Sequence, residues 1–125
     1  MTTTYKQEGK VIQYTAGANI AAGKVLKIGN ILGVALQDIA SGATGSVAIE
    51  GVFSAPKVSG AVIAQGESLT WDVSAASGAG EFDDNLAVPA TGDVTGAAAF
   101  AWAGAGSGAT TVLVKFTGVP GTVAA

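Results

Sequence analysis

Few residues in this chain could do chemistry, and every arrangement of them falls short of a site. Glu81, Asp83, Asp84 and Asn85 crowd three carboxylates and an amide together, the donor types a hard cation such as calcium takes. Their spacing does not follow the calcium-loop template, and Asp-Asp-Asn is also what turns are made of, so a turn is expected there. Gly104-x-Gly106-x-Gly108 has glycine spacing that invites comparison with a phosphate cradle. A dinucleotide fingerprint needs a strand before it and a helix opening after it. Here a Thr/Val strand pattern follows, which makes the segment a hairpin loop. Gly9-Lys10 and Gly23-Lys24 suggest a nucleotide loop, but valine follows each lysine where a magnesium-binding Ser or Thr is required.

What is missing sharpens this. The chain has no histidine and no cysteine, and all six basic residues are lysines. It therefore lacks the usual near-neutral acid/base, the commonest transition-metal ligand and the residue best suited to bidentate phosphate contacts. Nucleophilic catalysis would have to use a Ser–Lys arrangement, and no serine lies in a nucleophile-elbow pattern. Asp38 and Asp72 could meet as a carboxylate pair, although solvated strand-edge acids are the commoner outcome. The expectation is no enzymatic activity, no cofactor, no metal and no small-molecule substrate.

Net charge is −3, and 12% of the 125 residues are charged, about half the share in an ordinary soluble domain. With 49% hydrophobic residues, many of them alanine, the surface must be unusually apolar, or part of it is covered by other copies or a partner. An acidic balance without a basic stripe argues against nucleic acid. Met1–Lys6 has no apolar core of the kind a secretory signal needs. Val94–Val114 carries no charge, but its glycines and threonines make it too weakly apolar to insert, so a soluble protein without a membrane partner is expected.

The elements that would have to position any site read as strands. Val25–Ile28 and Ile31–Leu36 flank the dipeptide Gly29-Asn30, the chemistry of a tight hairpin. Lys10–Thr15 alternates, with Ile12 and Tyr14 on one face. Ser46–Phe53 reads as one strand with Val47, Ile49 and Phe53 together. Ser68–Val73 alternates Leu69, Trp71 and Val73 against Ser68, Thr70 and Asp72. Leu86–Val88 reads as a brief strand ended by Pro89. Ala97–Ala103 is alanine-rich, but flanking glycines favour a strand with Phe100 and Trp102 on one face. Thr111–Phe116 alternates again. Trp71 and Trp102 both read as core anchors. The architecture expected is all-β, a small sandwich or barrel of short antiparallel strands and hairpins. Residues 1–9 would be a flexible N-terminal arm, 10–117 a single β domain and 118–125 a frayed tail.

In order along the chain, QEGKVIQYTAGANIAAGKVLKIGNILGVALQDIASGATGSVAIEGVFSAPK, IAQGESLTWD and GAAAFAWAGAGSGATTVLVKF together resemble the capsid cement, or head decoration, proteins of tailed phages and prophages. Members of that family are often labelled RecA/RadA-like phage recombinases. The likeness runs from about Gln7 to Phe116. It is carried by Gly33 and Val34, by Gly51, Val52, Phe53 and Pro56, and by Gly66 leading to Trp71. It implies a β-rich domain that forms homotrimers on the outer surface of the phage head, bridges subunits of the major capsid protein and is made in the bacterial cytoplasm. The arm residues Thr2, Thr3, Thr4, Tyr5, Lys6, Gln7 and Glu8 are the candidate capsid contact. A recombination-associated or nucleotide- or DNA-binding protein, or a subunit of a head or tail fibre, is the alternative, and the absent nucleotide loop weighs against the recombinase label.

Overall fold

The computed structural model describes residues 8–125. Its regular structure is one short 3-10 turn, Ala76–Gly78, and eleven short strands: β1 (Val11–Thr15), β2 (Val25–Ile28), β3 (Ile31–Ala35), β4 (Thr44–Ala48), β5 (Glu50–Pro56), β6 (Thr70–Asp72), β7 (Glu81–Asp83), β8 (Val94–Thr95), β9 (Ala99–Ala101), β10 (Thr111–Thr117) and β11 (Thr122–Val123). They form three antiparallel sheets, ordered β1-β4-β3-β2, β5-β10-β9 and β11-β8-β6-β7. The expected all-β class is what the chain adopts, curled into a half-barrel. No helix among the described residues is long and apolar enough to cross a membrane.

The local rules that write this fold are visible in β2 and β3. Ile28 pairs with Ile31 across Gly29-Asn30. Gly29 takes φ 60° while Asn30 stays out of the positive-φ region, which fits a II′ turn better than a I′ turn. In β10, Val112, Val114 and Phe116 are buried and Thr111 and Leu113 face out, the two-residue period of a half-covered strand. β10 is held on both sides, by β5 along its whole length and by β9 at Val114–Phe116.

The main core gathers around a row of edge-on aromatic contacts. Ring centroids are 4.8 Å apart for Trp71–Phe82, 5.9 Å for Phe82–Phe116 and 5.9 Å for Phe53–Phe116, within the range where such pairs attract beyond simple burial. A second, smaller cluster joins Ala16, Ile39 and Val47, with Ile12 and Tyr14 of β1 packed on it. Two charged groups are buried and satisfied. The Lys57 side chain is 1% exposed, and its ammonium donates to the carbonyls of Val58 (2.8 Å), Ser59 (3.4 Å) and Ala109 (3.2 Å). The Asp93 carboxylate accepts from the amides of Val73 (3.1 Å) and Ala90 (2.9 Å).

Several elements differ from the sequence reading. The strand expected over Ser46–Phe53 is two strands in different sheets: β4 pairs with β1 and β3, while β5 pairs with β10. The break between them falls at Ile49, and Gly51, the second residue of β5, takes a φ of 134° that suits glycine. Val47 therefore sits in the small cluster and Phe53 against the main one. The strand around Trp71 is shorter than Ser68–Val73, and Thr70 is buried on the face that the alternation makes polar. Leu86–Val88 forms no strand. Residues 118–125, read as a frayed tail, carry β11, which pairs Thr122 with Thr95 and Val123 with Val94. Further bonds from the Gly121 amide to Asn30 and from the Ala124 amide to Asp93 fasten it (2.8 and 2.9 Å). The amphipathic pattern is too short there to show in sequence, and the pairing is long-range.

Candidate docking surfaces

The residues that suggested chemistry are spent on structure. Asp83 and Asp84 build a turn: the Asp83 carboxylate accepts from the Asp84 amide and that of Asp84 from the Leu86 amide (2.8 and 3.0 Å). Asp38 accepts from the Ala22 amide (2.8 Å), and Asp72 from the amide and hydroxyl of Ser74 (3.0 and 2.8 Å). Asp72 thus closes its own turn, while Asp38 ties the segment after β3 to the one before β2. Among the described residues no group of acidic side chains is arranged to hold a metal ion. Gly104–Ala109 lies in the hairpin loop between β9 and β10, tied across to Ile63 and Ser59.

Two surfaces remain unusual. The first is the outer face of the β5-β10-β9 sheet. Because Ala99 and Ala101 point inward, Phe100 and Trp102 point outward. Their rings lie 6.5 Å apart, tilted by 38°. Lys115 stands opposite both Val52 and Phe100, and the Trp102 amide donates to Leu113 (2.9 Å). The result is an apolar face of Val52, Leu113, Phe100 and Trp102 with Lys115 at its centre. Trp102 is 50% exposed, so its expected place in the core is corrected: it lies beyond the end of β9 on the outward side, while Trp71, at 3%, is the core tryptophan. Beside it a hollow of about 270 Å³ is lined by Gln65, Gly66, Phe100, Ala101 and Trp102. The Gln65 amide donates to the Trp102 carbonyl (3.3 Å), holding its rim.

The second surface is the loop between β7 and β8. Leu86 is 85% exposed and Val88 91%, although large aliphatic side chains usually find cover. The loop is not loose. Its root is held by Asp84 on the Leu86 amide, Glu67 on the Asn85 amide (2.8 Å) and Asp93 on the Ala90 amide. These carboxylates leave an uncharged tip, Leu86-Ala87-Val88-Pro89, on an acidic base.

The residues singled out from sequence fall into different roles. Thr2–Gln7 lie outside the described residues; Glu8 is exposed and pairs with Lys10 at 3.8 Å. Gly33 is buried in β3 where a β-carbon would lie 2.6 Å from Val47 Cγ1 and 2.9 Å from the Ala48 carbonyl. Val34 and Trp71 are core and Phe53 is half-buried against Phe116. Gly51 is the second residue of β5, paired with Phe116. Val52 and Pro56 lie toward the outer face, and Gly66 makes a turn at φ 84°. Sequence reasoning missed Lys57, Asp93 and the Leu86/Val88 tip. For the tip a signal existed: two aliphatic residues between turn residues on one side and Pro89 on the other.

The family model for phage cement proteins matches residues 6–116. The chain belongs to the phage cement protein family. Comparison with curated proteins returns no match. Membership carries a structural, capsid-associated role. The cement match takes in the outer sheet face and the projecting loop, and stops short of β11.

Proposed function

We propose that the protein decorates and stabilises a phage head, binding as a trimer to its outer surface and bridging subunits of the major capsid protein. Membership of the cement family is the observation that carries this reading. The physical features support it. A cement subunit needs modest affinity per contact, because repeated symmetric sites multiply the effect. A trimer also needs apolar, weakly charged patches where its subunits meet, and this chain has two in the Trp102 face and the Leu86/Val88 loop. The Thr2–Glu8 segment is the proposed capsid-contact arm, and the virion surface is the proposed location after synthesis in the host. A recombinase or nucleotide-binding role draws no support from a chain without arginine or a nucleotide loop.

Purified protein incubated with undecorated heads should add ordered density over the three-fold positions of the shell when imaged, and bare heads would refute the reading. Deleting residues 2–8 should lower occupancy on heads while leaving the thermal unfolding curve unchanged, since the deletion stops before β1. Full occupancy by the truncated chain would remove the arm from the model of binding.

A further inference from the structure

The two unusual surfaces have opposite characters. The loop tip Leu86–Pro89 is aliphatic and uncharged, and Asp83 and Asp84 stand at its root. The outer face of the β5-β10-β9 sheet is apolar, and its central charge is the Lys115 ammonium; Glu50 lies at the end of that face, opposite Thr117. The two surfaces match: an apolar tip suits an apolar bed, and the Asp83 and Asp84 carboxylates, each already holding one backbone amide, keep acceptor capacity that a cation can meet. The bed contains a tryptophan, the residue most often dominant at interfaces, next to a hollow of about 270 Å³.

We propose that a second copy of this chain is the occupant of the sheet face: the Leu86/Val88 loop of one subunit docks on the Phe100/Trp102/Leu113 face of the next, with Asp83 and Asp84 approaching Lys115. This rests on the trimer reading above and names the surfaces that build it. Three points favour a second copy. The charges are complementary within one chain. The two patches are different, so the contact is head-to-tail and uses both patches of every copy only when it closes into a ring, as a trimer would. The loop is also pre-organised: Glu67, Asp84 and Asp93 hold it outward, so docking costs little ordering.

The docking is tested by mass in solution. Wild type is compared by light scattering with Leu86→Asp/Val88→Asp, which spoils the tip, and with Trp102→Ala, which spoils the bed. All three substituted side chains are at least half exposed, and unchanged unfolding midpoints would verify that the fold survives. Should Trp102→Ala fail to fold, Lys115→Glu replaces it. The expected result is a trimer for wild type and about one third of that mass for each variant. Mixing the two variants should then give a one-to-one dimer, because one retains a tip and the other a bed, while the ring cannot close. Variants that stay trimeric overturn the docking and leave the trimer intact. If those trimeric variants also lose the ability to bind heads, the surfaces belong to the shell contact, which equally overturns it. A monomeric wild type overturns the trimer reading itself, and the docking with it.

Discussion

Lys57 shows how much a single side chain can decide without leaving a trace in sequence. Its ammonium is inside the protein and bonded to three backbone carbonyls. The carbonyls of Val58 and Ser59 also accept from the amides of Ala61 and Gly108, so they keep a partner if the lysine is lost. Among the described residues, the lysine is the partner of the Ala109 carbonyl. Lys57→Met preserves the stem and deletes the charge. Removing a buried charge relieves desolvation, but three charge-assisted bonds go with it and a carbonyl is stranded. We expect a net loss of about 2 kcal/mol, seen as a lower urea midpoint at unchanged slope; an unmoved midpoint would contradict the account. Nothing in Pro56-Lys57-Val58 announces this, because the acceptor that depends on the lysine, the Ala109 carbonyl, lies in a loop about fifty residues away, and folding alone brings it there. Gly33 is the opposite case. Its place among Leu32, Val34 and Ala35 marks a close approach in a strand, and Val47 provides it. Gly33→Ala should cost about 1–3 kcal/mol by overpacking, measured by the same unfolding curve.

Among the elements, those with a clean alternation and a strong turn were legible. The β2–β3 hairpin, β1 and β10 fall where the pattern puts them, because turn chemistry and the two-residue period act within a few residues. The elements misread were those defined by distant partners. Ser46–Phe53 was continuous in pattern but divided between sheets, and Thr122–Val123 had too few residues to show a period. β11 is nonetheless integral: it pairs with β8, and a β-carbon on Gly121 would lie 2.5 Å from the Thr95 carbonyl. Removing residues 118–125 should therefore uncover Val94, which is 1% exposed, and lose about 2 kcal/mol or more. A clearly lower melting temperature is the expected result, and an unchanged one would return these residues to the status of a loose end.

For the whole molecule, two apolar clusters of unequal size predict unequal local stability. β10 lies between two partners and over the main core, whereas β1 is an edge strand over the smaller cluster. Hydrogen exchange should be slowest at the amides of Val112–Phe116 and faster along Val11–Thr15; the reverse order would mean that the clusters are wrongly ranked. The sequence by itself determined the class of the protein: no histidine, cysteine, arginine or nucleotide loop leaves little for catalysis, alternating strands with glycine turns make it all-β, and ordered short motifs place it with capsid cement proteins. Only the tertiary structure decided which tryptophan is buried, where the chain changes sheet, and that Leu86 and Val88 stand in solvent. Alternation says that a strand has two faces, but which face is covered depends on what packs there. That is set by pairings dozens of residues apart, to which no local pattern is sensitive.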